Sequence, residues 1–283
     1  TRYWRDWSSD VCSSDLLAQT RQAQMHQDYE QRRQKALAMG GQAKLDKRKS
    51  QGVLNARERI DRLFDPGTFI ESGLFSTSAV PGDQDKSPGD GKVAGFGKIH
   101  AREAAVVAND FTVMGASSAA TNGRKMAHMK RVATQRGLPL IFLGESSGAR
   151  MPDHMGARGM GSLLGNDGTQ YQRMREIPWA SATLGLSYGS SSWYAAMSDF
   201  SVMRKGAVLA VSSSLLASLA VKEDVDPQEL GGWQLHAEVT GFADQVVDSD
   251  EEAIEAIRRF LSYMPDRKST RLELQSRQYL VCR

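Results

Sequence analysis

Residues 138–150, LPLIFLGESSGAR, constrain this chain more than any other stretch. Leu138 to Leu143 are apolar apart from one proline near the entrance, and Gly137 and Gly144 bound them. A short apolar run of this kind predicts a fully buried strand. The polarity then changes abruptly: Gly144 to Arg150 are small or polar, and two are glycines. Small residues after a buried strand let the backbone turn sharply and approach a ligand closely. Amides left free at such a turn can stabilise an oxygen that becomes negative during a reaction. Two functional readings compete here. One is a backbone oxyanion hole at Ser147 and Gly148. The other is a nucleophile elbow, because Gly144 to Gly148 fits G-x-S-x-G with Ser146 as the nucleophile. A strand-to-loop turn without chemistry accounts for the same residues, since five-residue patterns recur by chance.

A chain of 283 residues with 40% hydrophobic and 24% charged residues has the composition of a globular protein with ample length for a core. The longest mostly apolar run, Ala207 to Val221, is interrupted by serines, so it is expected to be buried core and not a membrane span. The two ends stand apart. Residues 1–16 contain the near-repeat WSSD and CSSD with no helical or strand period. The tail opens Asp266-Arg267-Lys268-Ser269. DRKS and SSDL are translations of complementary strings with the pattern of a sequencing adapter. Residues 1–16 and 266–283 are therefore expected to be an assembly artefact outside the fold. Both cysteines, Cys12 and Cys282, lie in those ends. The body 17–265 thus has no disulfide framework and no thiolate metal site, which suits a reducing cytoplasm. The ends carry −1 and +3 of the formal +3, leaving about +1 on the body, so charge gives no argument for nucleic acid. The five histidines show no ligand-pair spacing, so no metal is expected.

In chain order, residues 18–39 predict an exposed helix stopped by Gly40-Gly41, within a helical N-terminal extension over 17–49. Lys44 to Lys49 form a basic cluster, read as a solvated face or as a contact for ligand phosphates. Asn55 and Glu58 make a capping box for a helix that carries Ile60, Leu63 and Phe64 on one side. Val80 to Gly91 is a loop by composition. Lys92–Ile99 and Glu103–Asn109 predict a hairpin. Phe111 to Ser118 is a second small-residue turn, followed by a helix over 119–136 whose Met126, Met129 and Val132 face the core. Met151 to Asp167 read as a glycine-rich rim, and Tyr171 to Glu176 as helical. Trp179 to Gly185 predict a buried strand, Leu186 to Ser192 a third small-residue turn, and Trp193 to Met197 a helix. Short strands at Ser201–Met203 and Val208–Val211 follow, then a helical turn over Asp226–Leu230. Ser249 and Glu252 cap a last helix with Ile254, Ile257, Phe260 and Leu261 inward. Strand, small-residue turn and helix repeat, which predicts an α/β layered domain. No dinucleotide or Walker A fingerprint is present.

Five segments then carry a resemblance. They are ARERIDRLFDPGTFIE at 56–71, GDGKVAGFGKI at 89–99, ANDFTVMGAS at 108–117, the SSGAR of the central turn, and ELGGWQLHAEVTG at 229–241. In this order they resemble the N-terminal half of biotin-dependent acyl-CoA carboxyltransferases, the β-subunit type of propionyl-CoA and related carboxylases. The resemblance implies a crotonase/ClpP-like fold of stacked ββα units over 50–265. It implies transfer of a carboxyl group from carboxybiotin, carried on a partner domain, to the α-carbon of an acyl-CoA. The Ser147 and Gly148 amides would hold the thioester oxygen, and Gly115, Ala116, Ser117, Ala149 and Gly189 would line the CoA channel. No side-chain base is needed, since the family passes the α-proton to biotin. Implied partners are a biotin carboxylase and biotin carrier subunit, a C-terminal carboxyltransferase half that supplies the donors for biotin, and further copies of the chain in a homo-oligomer; no nucleic acid or membrane is implied. On this resemblance the chain alone, with half of that site, is expected to be inactive.

Two departures stand out. Ser147 replaces the first glycine of the family's Ser-Gly-Gly-Ala-Arg, and Tyr188 stands where the family's third turn has a small residue. No zinc-ribbon cysteines precede the body. Rival readings are an acyl-CoA decarboxylase of the same family, a non-catalytic oligomer-forming subunit, and a serine hydrolase using Ser146, Asp199 and His236.

Overall fold

The computed structural model describes residues 7–154 and 176–264. Two helices lead in, α1 (Trp7–Leu37) and α2 (Gln42–Ser50). The first starts well before the residue 18 expected, inside the stretch set aside as having no helical period. Its contacts with the body involve later residues: Tyr29 meets the Phe75 ring edge-on, Arg32 lies over the same ring, and Lys35 pairs with Asp85. The second falls in the expected 17–49 helical extension, past the Gly40-Gly41 stop. Helix α3 (Ala56–Leu63) starts as its sequence dictates. The Asn55 side chain accepts from the Arg57 and Glu58 amides, and Glu58 accepts from the Asn55 amide.

The sheet, among the described residues, has eight strands. They are β1 (Ile70–Glu71), β2 (Lys92–Ile99), β3 (Arg102–Asn109), β4 (Leu140–Ser146), β5 (Trp179–Tyr188), β6 (Phe200–Arg204), β7 (Val208–Ala210) and β8 (Gln245–Val247). Their order is β1-β2-β3-β4-β5-β6-β8, with β7 added to β5. The first three are antiparallel neighbours, and from β3 onward every pairing is parallel. The hairpin turn at His100 and Ala101 has both residues at positive φ, and their amides donate to the Asp65 carboxylate. Those bonds hold the Asp65 carboxyl below its ordinary range against the upward pull of desolvation.

Between the parallel strands run α4 (Ala120–Arg136), α5 (Met151–His154), α6 (Ser190–Ala196), α7 (Ser214–Val221) and α8 (Pro227–Gly231), with α9 (Asp250–Ser262) last. Both faces of the sheet are covered, because side chains alternate along each strand. Ile141 and Leu143 pack with Ile60, Leu63, Ile254 and Ile257, toward α3 and α9. Leu140 and Phe142 pack with Met126, Met129 and Tyr194, toward α4 and α6. Both methionines of α4 are core, as expected; Val132 is only partly buried and Ala133 takes the inward position. On α9, Ile254, Ile257 and Leu261 are buried and Phe260 stacks on Phe200.

Three expectations need correction. First, β4 does not end at Leu143; it runs through Gly144 and Glu145 to Ser146, all buried. Second, β5 continues past Gly185 to Tyr188, so Leu186 to Tyr188 are strand and α6 begins at Ser190. Third, Ala207 to Val221 is not all core. Ala207 and Val208 are buried, but α7 buries none of its residues, and Leu215, Leu216 and Leu219 are 70%, 60% and 69% exposed. The reading of Met151–Asp167 as a rim lies outside the described residues from 155 on, and that of Tyr171–Glu176 up to 175. No helix among the described residues is long and apolar enough to cross a membrane.

Candidate functional site

Glu145 explains why the central strand continues where its polarity changes. Its carboxylate accepts from Arg48 at 2.9 and 2.7 Å and from Arg59 at 2.8 Å. Arg59 is fully buried and donates onward to Asp250 at 2.9 Å, which also accepts from Arg204 at 2.9 Å. Burial alone would push the Glu145 carboxyl up, but the Arg59 charge and the Arg48 hydrogen bonds hold it below its ordinary value. The register of β4 on β5 shifts between Gly144 and Ser146, and Gly185 faces Glu145 there. A Cβ at Gly185 would lie 2.7 Å from Glu145 Oε1, so only glycine leaves room for the carboxylate. The basic cluster at 44–49 therefore divides. Arg48 is internal, Lys44 donates to the Thr112 carbonyl at 2.9 Å, and Lys47 and Lys49 are exposed.

This network anchors the strand whose carboxyl end builds the site. Three turns follow the carboxyl ends of β3, β4 and β5, where ligands of parallel α/β sheets bind. The first, residues 111–118, and the second, 147–150, are stitched together by backbone bonds. Ser147 N donates to Gly115 O at 2.9 Å, Ser118 N to Gly148 O at 2.7 Å, and Arg150 N to Ser118 O at 2.8 Å. The third joins through Ser190 Oγ, 2.5 Å from Ser118 Oγ, and through Gly189, where an added Cβ would lie 3.8 Å from the Gly148 Cα. Arg150 clamps the first two turns from beneath: it donates to Ser117 Oγ at 3.1 Å and to Asp90 at 2.6 Å. Asp90 also accepts from the Asn122 amide, while Asn122 Nδ2 donates to Ser117 O. Sequence reasoning passed over Asp90, Asn122 and Arg150 as positioning residues. Their signal was weak, because each acts through a partner far along the chain.

The turns open on a cleft of about 670 Å3, lined by Ser147, Gly148, Ala149, Tyr188 and Gly189 among others. Of the residues expected there, Gly115, Ala116 and Ser117 support the cleft from behind its wall instead of lining it. The expectation of two free oxyanion amides is corrected. The Ser147 amide is engaged with Gly115 O, and the Gly148 amide donates to Ser146 Oγ at 3.2 Å. The next amide, Ala149, has no hydrogen-bond acceptor among the described residues, and Ala149 is exposed to the cleft. The Gly189 amide bonds to Ala210 O and Val211 O. Tyr188 sits at the end of β5, not in the turn, and its Cβ lies 3.8 Å from where a Gly148 Cβ would be.

The hydrolase triad does not assemble. Ser146 is fully buried, its hydroxyl donating to Ala116 O at 3.2 Å. His236 bonds Leu209 O and Thr240, and Asp199 accepts from the Trp179 amide. Among the described residues no three His, Cys, Asp or Glu side chains form a metal-binding group.

Gly115 is at φ 61°, and a Cβ there would lie 2.6 Å from Ser147 Oγ. Gly115→Ala is expected to cost about 1–3 kcal/mol from backbone strain and to displace Ser147. Urea unfolding should show it; a loss under about 0.5 kcal/mol would mean that the two turns slide past each other freely.

Residues 47–279 match the family model described as the carboxyl transferase domain. The mitochondrial propionyl-CoA carboxylase beta chain of Sus scrofa is 33% identical over 255 residues, covering 87% of this chain and 46% of that protein. The propionyl-CoA carboxylase beta chain of Roseobacter denitrificans is 34% identical, covering 84% of this chain and 47% of its own length. Among solved structures, transcarboxylase 12S, described as a hexamer with methylmalonyl-coenzyme A bound, superposes with a TM-score of 0.76 at 31% identity. That match covers 87% of this chain and 48% of the other. The chain thus spans about half the length of the relatives it matches.

Proposed function

The chain belongs to the carboxyl transferase domain family, and from that premise we propose that its cleft holds an acyl-CoA for carboxylation at the α-carbon. The crotonase-like architecture expected from the resemblance is the one found. The observation that carries the reading is the convergence of three small-residue turns on one cleft at the carboxyl ends of β3, β4 and β5. Carboxybiotin, brought by a partner carrier domain, would supply the carboxyl group.

The chain's own contribution is to hold the thioester. As the α-proton leaves, the thioester oxygen takes negative charge, and a donor aimed at it is worth about 3–4 kcal/mol. The Ala149 amide is one such donor. The Gly148 amide is the second, released when Ser146 Oγ turns from it. Ser147 contributes its side chain at the mouth, and its amide secures the turn against Gly115. Ser146, buried and bonded to Ala116 O, is not placed as a nucleophile with His236 and Asp199. On this reading the protein would work with a biotin carboxylase and carrier subunit and assemble as a homo-oligomer; the transcarboxylase relative is described as a hexamer. The body 50–265 forms the acyl-CoA half of the site.

Ser146→Ala separates this reading from a hydrolase. Removing the hydroxyl frees the Gly148 amide, so propionyl-CoA affinity by calorimetry should stay within about threefold of wild type or improve. A fluorophosphonate probe should leave Ser146 unlabelled. Stoichiometric labelling of Ser146 would overturn the assignment.

A further inference from the structure

The cleft has a cation in its floor that the chemistry above does not use. Lys92 begins β2, is only 2% exposed, and lines the cleft. Its Nζ donates to Asn109 Oδ1 at 2.7 Å. Asn109 is fixed in turn: its Nδ2 donates to Glu145 O at 2.9 Å and to Ser191 Oγ at 3.1 Å. Among the described residues the Lys92 ammonium makes this one hydrogen bond and no ion pair, and two of its three donors have no acceptor there.

Most other charges around it are engaged, while Arg124 also lines the cleft and, among the described residues, reaches only Thr121 Oγ at 3.4 Å. Asp90 accepts from Arg150 and Asn122. Lys125 of α4 donates to the carbonyls of Gly73, Gly89 and Lys92. Glu145 is held by Arg48 and Arg59. His154 on α5, also at the cleft, bonds Ser118 O. Asp90 is a counter-charge to Lys92 but is shared with Arg150, and Lys125 and Arg150 add positive charge, so the neighbourhood of Lys92 has cations in excess, an imbalance that an anionic ligand would relieve. Burial pulls the Lys92 amine down to about 7, with Asp90 opposing and Lys125 and Arg150 adding.

We infer that Lys92 is a specificity residue that binds a carboxylate on the acyl group, so that the preferred CoA ester of this cleft is an acidic one. The inference rests on the acyl-CoA reading above and names the class of acyl group. A carboxylate can reach the cleft floor from two sources. It is either the group exchanged at the α-carbon, as in a malonyl-type ester, or a group at the far end of a dicarboxylic acyl chain, as in a succinyl-type ester.

The test is calorimetry on the full 283-residue chain with propionyl-CoA, methylmalonyl-CoA and succinyl-CoA, at about pH 6 and about pH 9. Below about 7 the amine is charged and above it neutral. One acidic ester should therefore bind at least about tenfold tighter than propionyl-CoA at the lower pH, and the preference should shrink at the higher pH. Preference for methylmalonyl-CoA identifies the α-carboxylate, and preference for succinyl-CoA the distal one. Lys92→Met, close in volume, should abolish the preference while leaving propionyl-CoA affinity within about threefold. If that variant does not fold, the pH dependence of the wild-type preference decides. Equal affinity for all three esters at both pH values, or an unchanged preference in folded Lys92→Met, would overturn the inference and leave the acyl-CoA reading standing. Failure of every CoA ester to bind would overturn both.

Discussion

Replacing Arg59 by methionine is expected to remove about 3–5 kcal/mol of stability. Arg59 is fully buried between two carboxylates, Glu145 on β4 and Asp250 at the start of α9. Burial alone would lower its pKa, yet the two carboxylates raise it above its ordinary value, so the charge is always present. Methionine fills the space but leaves both acids short of a partner in a site that water does not reach. Arg48 keeps part of Glu145 and Arg204 part of Asp250, which limits the loss. The same network sets an acid limit. The Glu145 pKa is depressed by folding, so its contribution is full above the ordinary carboxylate pKa and is lost as pH falls through the lower folded value. Stability should therefore drop below about pH 4 in the wild type, and less steeply in Arg59→Met. Urea unfolding at neutral and acid pH measures both. A loss under about 1 kcal/mol at neutral pH would show that the arginine is dispensable.

That network also marks where the sequence stopped being readable. The apolar run before Gly144 identified the central strand, and the three small-residue turns identified the ends of the strands that build the cleft. The local code was sufficient there, because period, glycine placement and capping act over a few residues; Asn55 and Glu58 are such a case. Glu145 looked like a turn residue because its counter-charges lie 97 and 86 residues away, and no local pattern reports them. Gly185 was read as the end of a strand for the same reason. It is a strand glycine that makes room for the carboxylate of its neighbour. Arg48 was hidden inside a basic run, although one turn of a helix can send one of three cations inward and leave the others in water. The central turn was legible in the sequence, but the engagement of its Ser147 amide was not. Composition shows that a turn can expose amides, while the pairing of Ser147 N with Gly115 O depends on how two distant turns meet. The leucines of α7 were misread in the opposite sense. Apolar composition predicts that a segment will be covered, and the cover need not come from the same chain.

The isolated 283-residue chain is accordingly expected to bind acyl-CoA but to carboxylate it at a rate roughly 10^5- to 10^8-fold below that of full-length relatives. The chain covers 46% of the Sus scrofa relative and 48% of the transcarboxylase. The resemblance assigns the donors for biotin to a C-terminal half contributed by a neighbouring subunit. On the proposed reading the described turns would hold the thioester, and the other half of the site would position the second reactant. Positioning of two reactants is worth about 7–11 kcal/mol, which sets the size of the expected deficit. The surface agrees with a site shared between halves. Val211, Ser213 and Leu216 line one side of the cleft, and beside them α7 presents Leu215 and Leu219 to solvent. An apolar face at the rim of a cleft is costly in water and is stabilised when a partner surface covers it. The decisive experiment mixes the chain with carboxybiotin and propionyl-CoA and assays methylmalonyl-CoA, with propionyl-CoA binding measured in parallel. Binding without turnover supports the half-site, whereas product at a rate near that of a full-length relative would sink it.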